Sequence, residues 1–303
     1  MRRLNVNGVS VENSFAEAFD MRATALIITA ENRKWARQAA MTMTGFATSV
    51  IGCGCEAGVD RELTGTETPD GRPGVRVLLF AVSTAELQKQ LLARVGQCVL
   101  TAPGTACYGS ALPGEEKLKL GAALRYFGDG WQISKKFGGR HYWRLPVMDG
   151  EFVCEATVGM TKSAVGGGNL IILGANGRNV LDAAEAAVRD IGAVPDVIMP
   201  FPGGVVRSGS KVGSRYKGLI ASTNDAYCPT LKGAVASKLG REIASVLEIV
   251  IDGLAPEAVG EAMRAGIAAV VALGPKKGAL RIDAGNYGGK LGRHHFHLRT
   301  LLP

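Results

Sequence analysis

Two stretches half a chain apart carry the same succession of elements, and this internal repeat restricts the fold more than any other feature. In the first, "ATALIITA" (23–30) reads as a strand, "NRKWARQAAMTMTGF" (32–46) as a helix and "ATSVIG" (47–52) as a second strand. In the second, "GNLIILGA" (168–175), "GRNVLDAAEAAVRDIG" (177–192) and "VPDVIMP" (194–200) repeat the order. Leu181, Ala184, Val188 and Ile191 make an apolar stripe at helical spacing. Both halves continue with a strand, a brief turn and an amphipathic helix, over 74–96 and over 246–267. Leu87, Leu91, Leu92 and Val95 share one face of the first helix; Ala258, Val259, Ala262, Met263, Gly266 and Ile267 share one face of the second. Ser83 with Glu86 spells a capping box, and Pro256 suits the first position of a helix.

Further strands complete each half. "LRYF" and "WQIS" around Gly128-Asp129-Gly130 predict a hairpin, and "LRIDAG" (280–285) and "HFHLRTLL" (295–302) predict strands near the end. The expected class is α+β: two related ferredoxin-like α/β sandwich lobes, built from β-α-β-β-α-β repeats. The expected domains are 1–160 and 161–303. The halves differ most between their second and third strands, where the first spends residues 53–73 and the second 201–245. A connection that long in a compact domain is functional or disordered. Tyr216, Tyr227 and the cations Arg207, Lys211, Arg215 and Lys217 among glycines and serines favour an ordered binding loop. Its hydroxyls, amides and charges suit carboxylates or phosphate.

The chain has a net charge of +8, which favours acidic partners without choosing among them. The start "MRRLNVNGVSVENSF" lacks an apolar signal core, and no run nears the ~18 uninterrupted apolar residues of a membrane span. A cytoplasmic protein without a membrane partner is expected. Tandem RNA-binding modules would also explain paired lobes and high pI, but they need an aromatic-rich RNP1 strand, and no such string occurs. Nucleic acid is therefore not an expected partner.

Several short motifs fail on inspection. "AGNYGGKLG" (284–292) begins with Ala284 and follows Lys290 with Leu291, so it is no P-loop; a tight turn and a ligand-lining loop both remain open. "AVGGGNL" precedes a strand, whereas a Rossmann fingerprint follows one. His295 and His297 would share a strand face, with no acid or cysteine nearby in sequence to complete a metal set. Cys53-Gly54-Cys55 lacks zinc spacing, and reduced thiols are expected. Glu248 is left, a carboxylate heading the run Ile249-Val250-Ile251 beside the basic loop. Burial of an ionised carboxylate is costly, so such an acid is solvated, paired or held neutral for use. The residues alone do not choose.

The strings "NSFAEAFDMRATALIITA", "TGFATSVIGCGCEAGVD", "ETPDGRPGV", "RVGQCVLTAP", "FPGGVVRSGSKVGS", "STNDAYCPT", "LEIVIDGL" and "AGNYGGKLG", in this order, resemble the formylmethanofuran:tetrahydromethanopterin formyltransferases nearly end to end. The match is weakest over 104–120 and 232–245. The resemblance implies subunits that assemble into dimers or tetramers, with no prosthetic group. Methanofuran and tetrahydromethanopterin are then the formyl carriers, both with acidic appendages. It implies the catalytic acid at Glu248, in a strand of the form "YEIVINGL", with Leu247 departing from the tyrosine of that pattern. It further implies substrate-binding positions at Glu56, Gln97, Pro202, Gly203, Gly204, Arg207, Lys211, Arg215, Ser222, Thr223, Asn224, Asp225, Tyr227, Asn286 and Lys290. The basic, Ala- and Gly-rich composition leans toward a bacterial member in a complex with hydrolase subunits, acting toward formate. A non-catalytic assembly subunit of such a complex is the alternative.

Overall fold

The computed structural model describes residues 4–112 and 116–303; the two N-terminal arginines and part of 104–120 lie outside them. Along the chain run β1 (Leu4–Val6), β2 (Val9–Val11), β3 (Phe15–Thr29), α1 (Arg33–Thr44), α2 (Val50–Cys53), β4 (Glu56–Leu63), β5 (Gly74–Ala81) and α3 (Thr84–Arg94). There follow β6 (Ala106–Gly109), β7 (Lys117–Lys119), α4 (Gly121–Leu124), β8 (Ile133–Phe137), β9 (Arg140–Val147), β10 (Gly150–Glu155), β11 (Thr157–Gly159) and β12 (Thr161–Gly174). The last third holds α5 (Gly177–Ile191), β13 (Val197–Ile198), β14 (Lys211–Val212), β15 (Ala221–Ser222), β16 (Ser245–Gly253), α6 (Pro256–Lys277), β17 (Arg281–Asp283) and β18 (His294–His297). The class is mixed α+β. Two compact units form, Met21–Ala164 and Met1–Asp20 with Val165–Pro303.

In the unit Met21–Ala164, the strands lie in the order β4-β5-β3-β6, each antiparallel to its neighbour, and β10, β9 and β8 extend the sheet beyond β6. Asn32 and Ser83 cap α1 and α3 by accepting from Trp35 N and Glu86 N. Only that half of the expected capping box forms, because the Glu86 carboxylate accepts from Gln90 instead. Leu26, Ile28, Val77 and Leu79 on the sheet meet Ala40, Met43, Leu87 and Leu91 on the helices in one core. Each such large side chain contributes about 1.5–3 kcal/mol by leaving water.

The unit Met1–Asp20 with Val165–Pro303 repeats the arrangement as β17-β12-β16-β13, again antiparallel throughout. β2 joins the outer side of β17 in parallel, and β18 pairs with residues 15–18 of β3. Those pairings draw residues 4–20 into this unit, whereas the repeat alone groups them with the first half. Leu170, Ile172, Ile249 and Ile251 pack against α5 and α6. Among the described residues α6 is the one helix long and apolar enough to cross a membrane. Its Val259, Ala262, Met263, Gly266, Ile267 and Val270 are all buried in that core. Nothing larger fits at Gly266, where a Cβ would stand 2.8 Å from Ile191 on α5 and from Leu170 on β12.

Four local expectations are corrected. Residues 47–52 do not make a strand: Ser49 caps the short α2 by accepting from Ile51 N, Gly54 ends it in the left-handed region (φ 77°), and the strand starts at Glu56. The expected hairpin around Gly128-Asp129-Gly130 is displaced. Residues 125–128 continue α4 as a tight helical turn, and the hairpin is β8–β9. It turns at Gly138 and Gly139, whose φ values of 56° and 74° suit such a turn. In α5, Leu181 is 43% exposed and Val180 takes the inner position. The last strand ends at His297, after which Leu298–Leu301 form a helical turn.

Candidate active site

Strand alternation sends Leu247, Ile249 and Ile251 toward α5 and α6, and Val246 and Glu248 to the opposite face of the sheet. On that face Ile171 is the register partner of both Glu248 and Asp283, so the three stand in one row across β16, β12 and β17. Part of the connection 201–245 covers the same face, with Tyr227 and Ile243 packed on Ile171 and Leu173. The connection is ordered here, as its composition suggested.

Its start is stitched to the acid's own backbone. Val206 N–H donates to the Glu248 carbonyl at 2.7 Å, and Glu248 N–H donates to the Val206 carbonyl at 2.9 Å. The Glu248 side chain is half-buried and has no hydrogen-bond or ion-pair partner among the described residues. Burial with no compensating donor pushes its pKa up to about 7, because loss of water penalises the charged form. Of the states open to such an acid, pairing is not seen among the described residues, and burial favours the neutral form.

A second acid organises the neighbouring loop. Glu17, in β3, is 1% exposed and accepts four backbone N–H bonds. Tyr287 and Gly289 donate to Oε2 at 2.6 and 2.8 Å; Leu291 and Gly292 donate to Oε1, both at 2.7 Å. These bonds outweigh burial and hold the carboxyl at a pKa of about 2. The glycine-rich stretch is thus wrapped around a carboxylate of its own chain. Gly292 is required there, since a Cβ would stand 2.4 Å from the Ala18 carbonyl oxygen. Sequence reasoning passed over Glu17. The available signal was an acid alternating with alanines in an apolar strand, in a chain that also carries a loop full of unpaired amides.

Asn169 ties that loop to the sheet face of Glu248. Its side chain accepts from Gly285 N at 2.6 Å and donates to Gly285 O at 3.1 Å. Asn169 is register partner of Val250, which makes it a diagonal neighbour of Glu248. Tyr287 then meets Phe19 at a tilt, with ring centroids 5.9 Å apart. Burial chiefly, then the charges of Glu248 and Glu17, raise the pKa of its phenol.

The remaining candidates fall into groups. Pro202, Gly203 and Gly204 form the tight turn before Val206, with Gly203 and Gly204 at φ 61° and 78°. Arg207, Arg215, Lys217 and Lys290 are exposed and free of ion pairs among the described residues. Lys211 is engaged: its ammonium donates to Asp225 at 2.6 Å, and that bond lowers the Asp225 pKa. Ser222 donates to the Gly213 carbonyl across the β14–β15 hairpin, Thr223 touches the Cys228 thiol, and the Asn224 carbonyl accepts from that thiol. Tyr227 is buried, and its hydroxyl donates to Asp283 at 2.8 Å. Asn286 lines a polar cavity of about 270 Å3 with Glu12, Ser14, Lys238, Arg281 and Asp283. Glu56 and Gln97 belong to the unit Met21–Ala164, where Glu56 accepts from Val50 N and Gln97 is exposed. His295 and His297 do share the exposed side of β18, where both rings lie against Phe15.

Known proteins match this arrangement closely. Residues 4–147 match the formylmethanofuran-tetrahydromethanopterin formyltransferase model, and residues 150–301 match the proximal lobe of the same family. The formyltransferase of Methylococcus capsulatus is 61% identical over 297 residues, covering 98% of this chain and 99% of that one. A chain of the formyltransferase/hydrolase complex of Methylorubrum extorquens, solved with methylofuran, is 57% identical with a TM-score of 0.97, covering 100% of this chain and 99% of its own. The Methanosarcina barkeri enzyme is 43% identical with a TM-score of 0.92, over 98% of this chain and 100% of its own. With identity of that order sustained along nearly its whole length, the chain belongs to the formylmethanofuran–tetrahydromethanopterin formyltransferase family.

Proposed function

We propose that this protein transfers a formyl group between the amine of methanofuran and N5 of tetrahydromethanopterin, and that Glu248 carries the proton. The observation that supports this most is the state of Glu248: half-buried, without a partner among the described residues, and with a pKa near 7. A carboxyl so placed both accepts and returns a proton near neutrality.

In the reaction the acceptor nitrogen attacks the formamide carbon, and the C=O bond opens to a tetrahedral oxyanion. The carboxylate of Glu248 takes the proton from the attacking nitrogen. When the intermediate collapses, the C–N bond to the leaving amine breaks and Glu248 returns a proton to that nitrogen. Donors at the oxyanion complete the chemistry, each worth roughly 10²–10³ in rate. The exposed cations Arg207, Arg215, Lys217 and Lys290 supply the attraction that acidic carriers need. Pro202, Gly203 and Gly204 position the loop, while Lys211, Ser222, Thr223, Asn224, Asp225 and Tyr227 keep its binding surface in shape. Asn286 presents an amide in the polar cavity, and the substrate-binding roles read for Glu56 and Gln97 rest on the family resemblance alone.

Each unit is read as a ferredoxin-like lobe, supported by the shared strand order, with the lobes meeting near residue 160 as expected except that residues 4–20 join the second, and with 201–245 as the binding loop. Self-assembly, and association with hydrolase subunits that release formate, follow from the relative in the Methylorubrum extorquens complex. Six free thiols accord with the cytoplasm.

Assay of formyl transfer from formyl-tetrahydromethanopterin to methanofuran tests the reading. Glu248→Gln should lower kcat by about 10²–10⁴ with little change in either KM. Wild-type rates in that variant across the pH range would remove Glu248 from the proton path.

A further inference from the structure

The four amides gathered on Glu17 do more than close a turn. They belong to the stretch that begins at Gly285 on Asn169, beside the row containing Glu248, and that carries Tyr287. We propose that Glu17 is a positioning residue for the Glu248 site: it fixes residues 286–292, and through them holds Tyr287 over the sheet face from which Glu248 projects. The inference rests on the assignment of Glu248 made above and adds a residue that does not touch the reacting atoms.

The physical argument has three steps. A segment with two consecutive glycines in the left-handed region, Gly288 and Gly289 at φ 83° and 71°, has many conformations in water. A buried carboxylate accepting from residues 287, 289, 291 and 292 selects one of them, because each of the four bonds is charge-assisted. In this proposal the ring of Tyr287, set at a tilt against Phe19 and near enough for the Glu248 charge to act on its phenol, is what keeps water from the carboxyl of Glu248.

Among the described residues, few charged or titratable groups lie on the side of Glu248. Asp283 stands two strands away in its row, bonded to Tyr227 and Ser14. Arg207 follows Val206 on the paired segment. Tyr287 faces it from the loop, and Glu17 lies beyond. Both phenols, Tyr227 and Tyr287, have raised pKa values and remain neutral near pH 7, so the titration in that window belongs to Glu248.

Glu17→Gln and Tyr287→Ala separate the two halves of the argument. The amide keeps one acceptor oxygen and replaces the other by a donor, so two of the four N–H groups lose their partner. In the full-length protein labelled with 13C-glutamate, the Glu248 carboxyl signal should titrate near 7 in wild type and at least about one unit lower in both variants. Amide exchange at Tyr287, Gly289, Leu291 and Gly292 should speed up at least about tenfold in Glu17→Gln. In Tyr287→Ala those amides should stay protected. The acid limb of kcat/KM should move with the titration, by the same amount. A merely structural role would lower the active fraction equally at all pH and leave the Glu248 titration in place, and that result overturns the proposal. An unchanged titration in Tyr287→Ala overturns it as well, even if Glu17→Gln does not fold. Titration and exchange need no turnover, so an inactive wild type would count against the formyltransferase reading alone.

Discussion

Val206 and Glu248 exchange both of their backbone hydrogen bonds, at 2.7 and 2.9 Å, so the mouth of the basic loop is an extra strand residue laid against the acid. The loop and the acid are therefore one mechanical element. Displacement of the turn before Val206 is passed through these two bonds to the backbone of Glu248.

Gly204 tests that coupling. It sits at φ 78°, and a Cβ there would stand 2.9 Å from a methyl of Val188. Gly204→Ala should cost about 1–3 kcal/mol, lower Tm by about 2–8 °C and reduce kcat beyond the loss in folded protein. Calorimetry alongside steady-state kinetics checks it; a wild-type kcat at full occupancy of the native state would uncouple turn and acid.

The four cations of the loop should divide by their partners. Arg207, Arg215 and Lys217 carry no ion pair among the described residues, while Lys211 is held by Asp225. Alanine at any of the first three should raise KM for an acidic carrier, with the effect shrinking as salt rises. Lys211→Ala and Asp225→Ala should resemble each other in every kinetic constant, since each breaks the same strut. A KM increase confined to Lys211→Ala would make that lysine a substrate contact instead.

Glu248 also leaves a mark on stability. Its folded pKa of about 7 exceeds the ordinary 4.5, so the folded state binds the proton more tightly than the unfolded one. The stability it contributes is present below 4.5 and is lost as pH rises from 4.5 through 7. Glu248→Gln should therefore melt near wild type at about pH 4 and above it at about pH 8. Equal melting temperatures at both values would mean the carboxyl is not desolvated. The same protonation predicts a transfer rate that falls as pH drops below about 7.

Tyr227 anchors the middle of the connection. Its hydroxyl donates to Asp283 at 2.8 Å inside the protein, where Ser14 and Ala284 N also donate. Tyr227→Phe should cost about 1–3 kcal/mol, with faster proteolysis within 201–245 and a higher KM. Limited proteolysis followed by mass spectrometry reads the first, and unchanged cleavage would show that the loop is held elsewhere.

Much of this architecture was legible in the chain. Periodicity alone located α1, α3, α5 and α6 and the strands before them, because burying one face of a helix or sheet leaves a spacing in the residue types. It also pointed to the connection 201–245, and family resemblance pointed to Glu248. Short pieces governed by local hydrogen bonds escaped: Ser49 turned an expected strand into α2, and two glycines moved a hairpin to residues 138–139. What only tertiary structure decided is which acids meet which donors. Glu17 and Glu248 are both glutamates in apolar strands, and nothing local separates them. Glu17 collects four amides from residues some 270 positions later and is fixed as an anion; Glu248 collects none and is left near neutrality. A carboxyl's chemistry is set by the dipoles folding brings to it, and sequence order does not specify that distance.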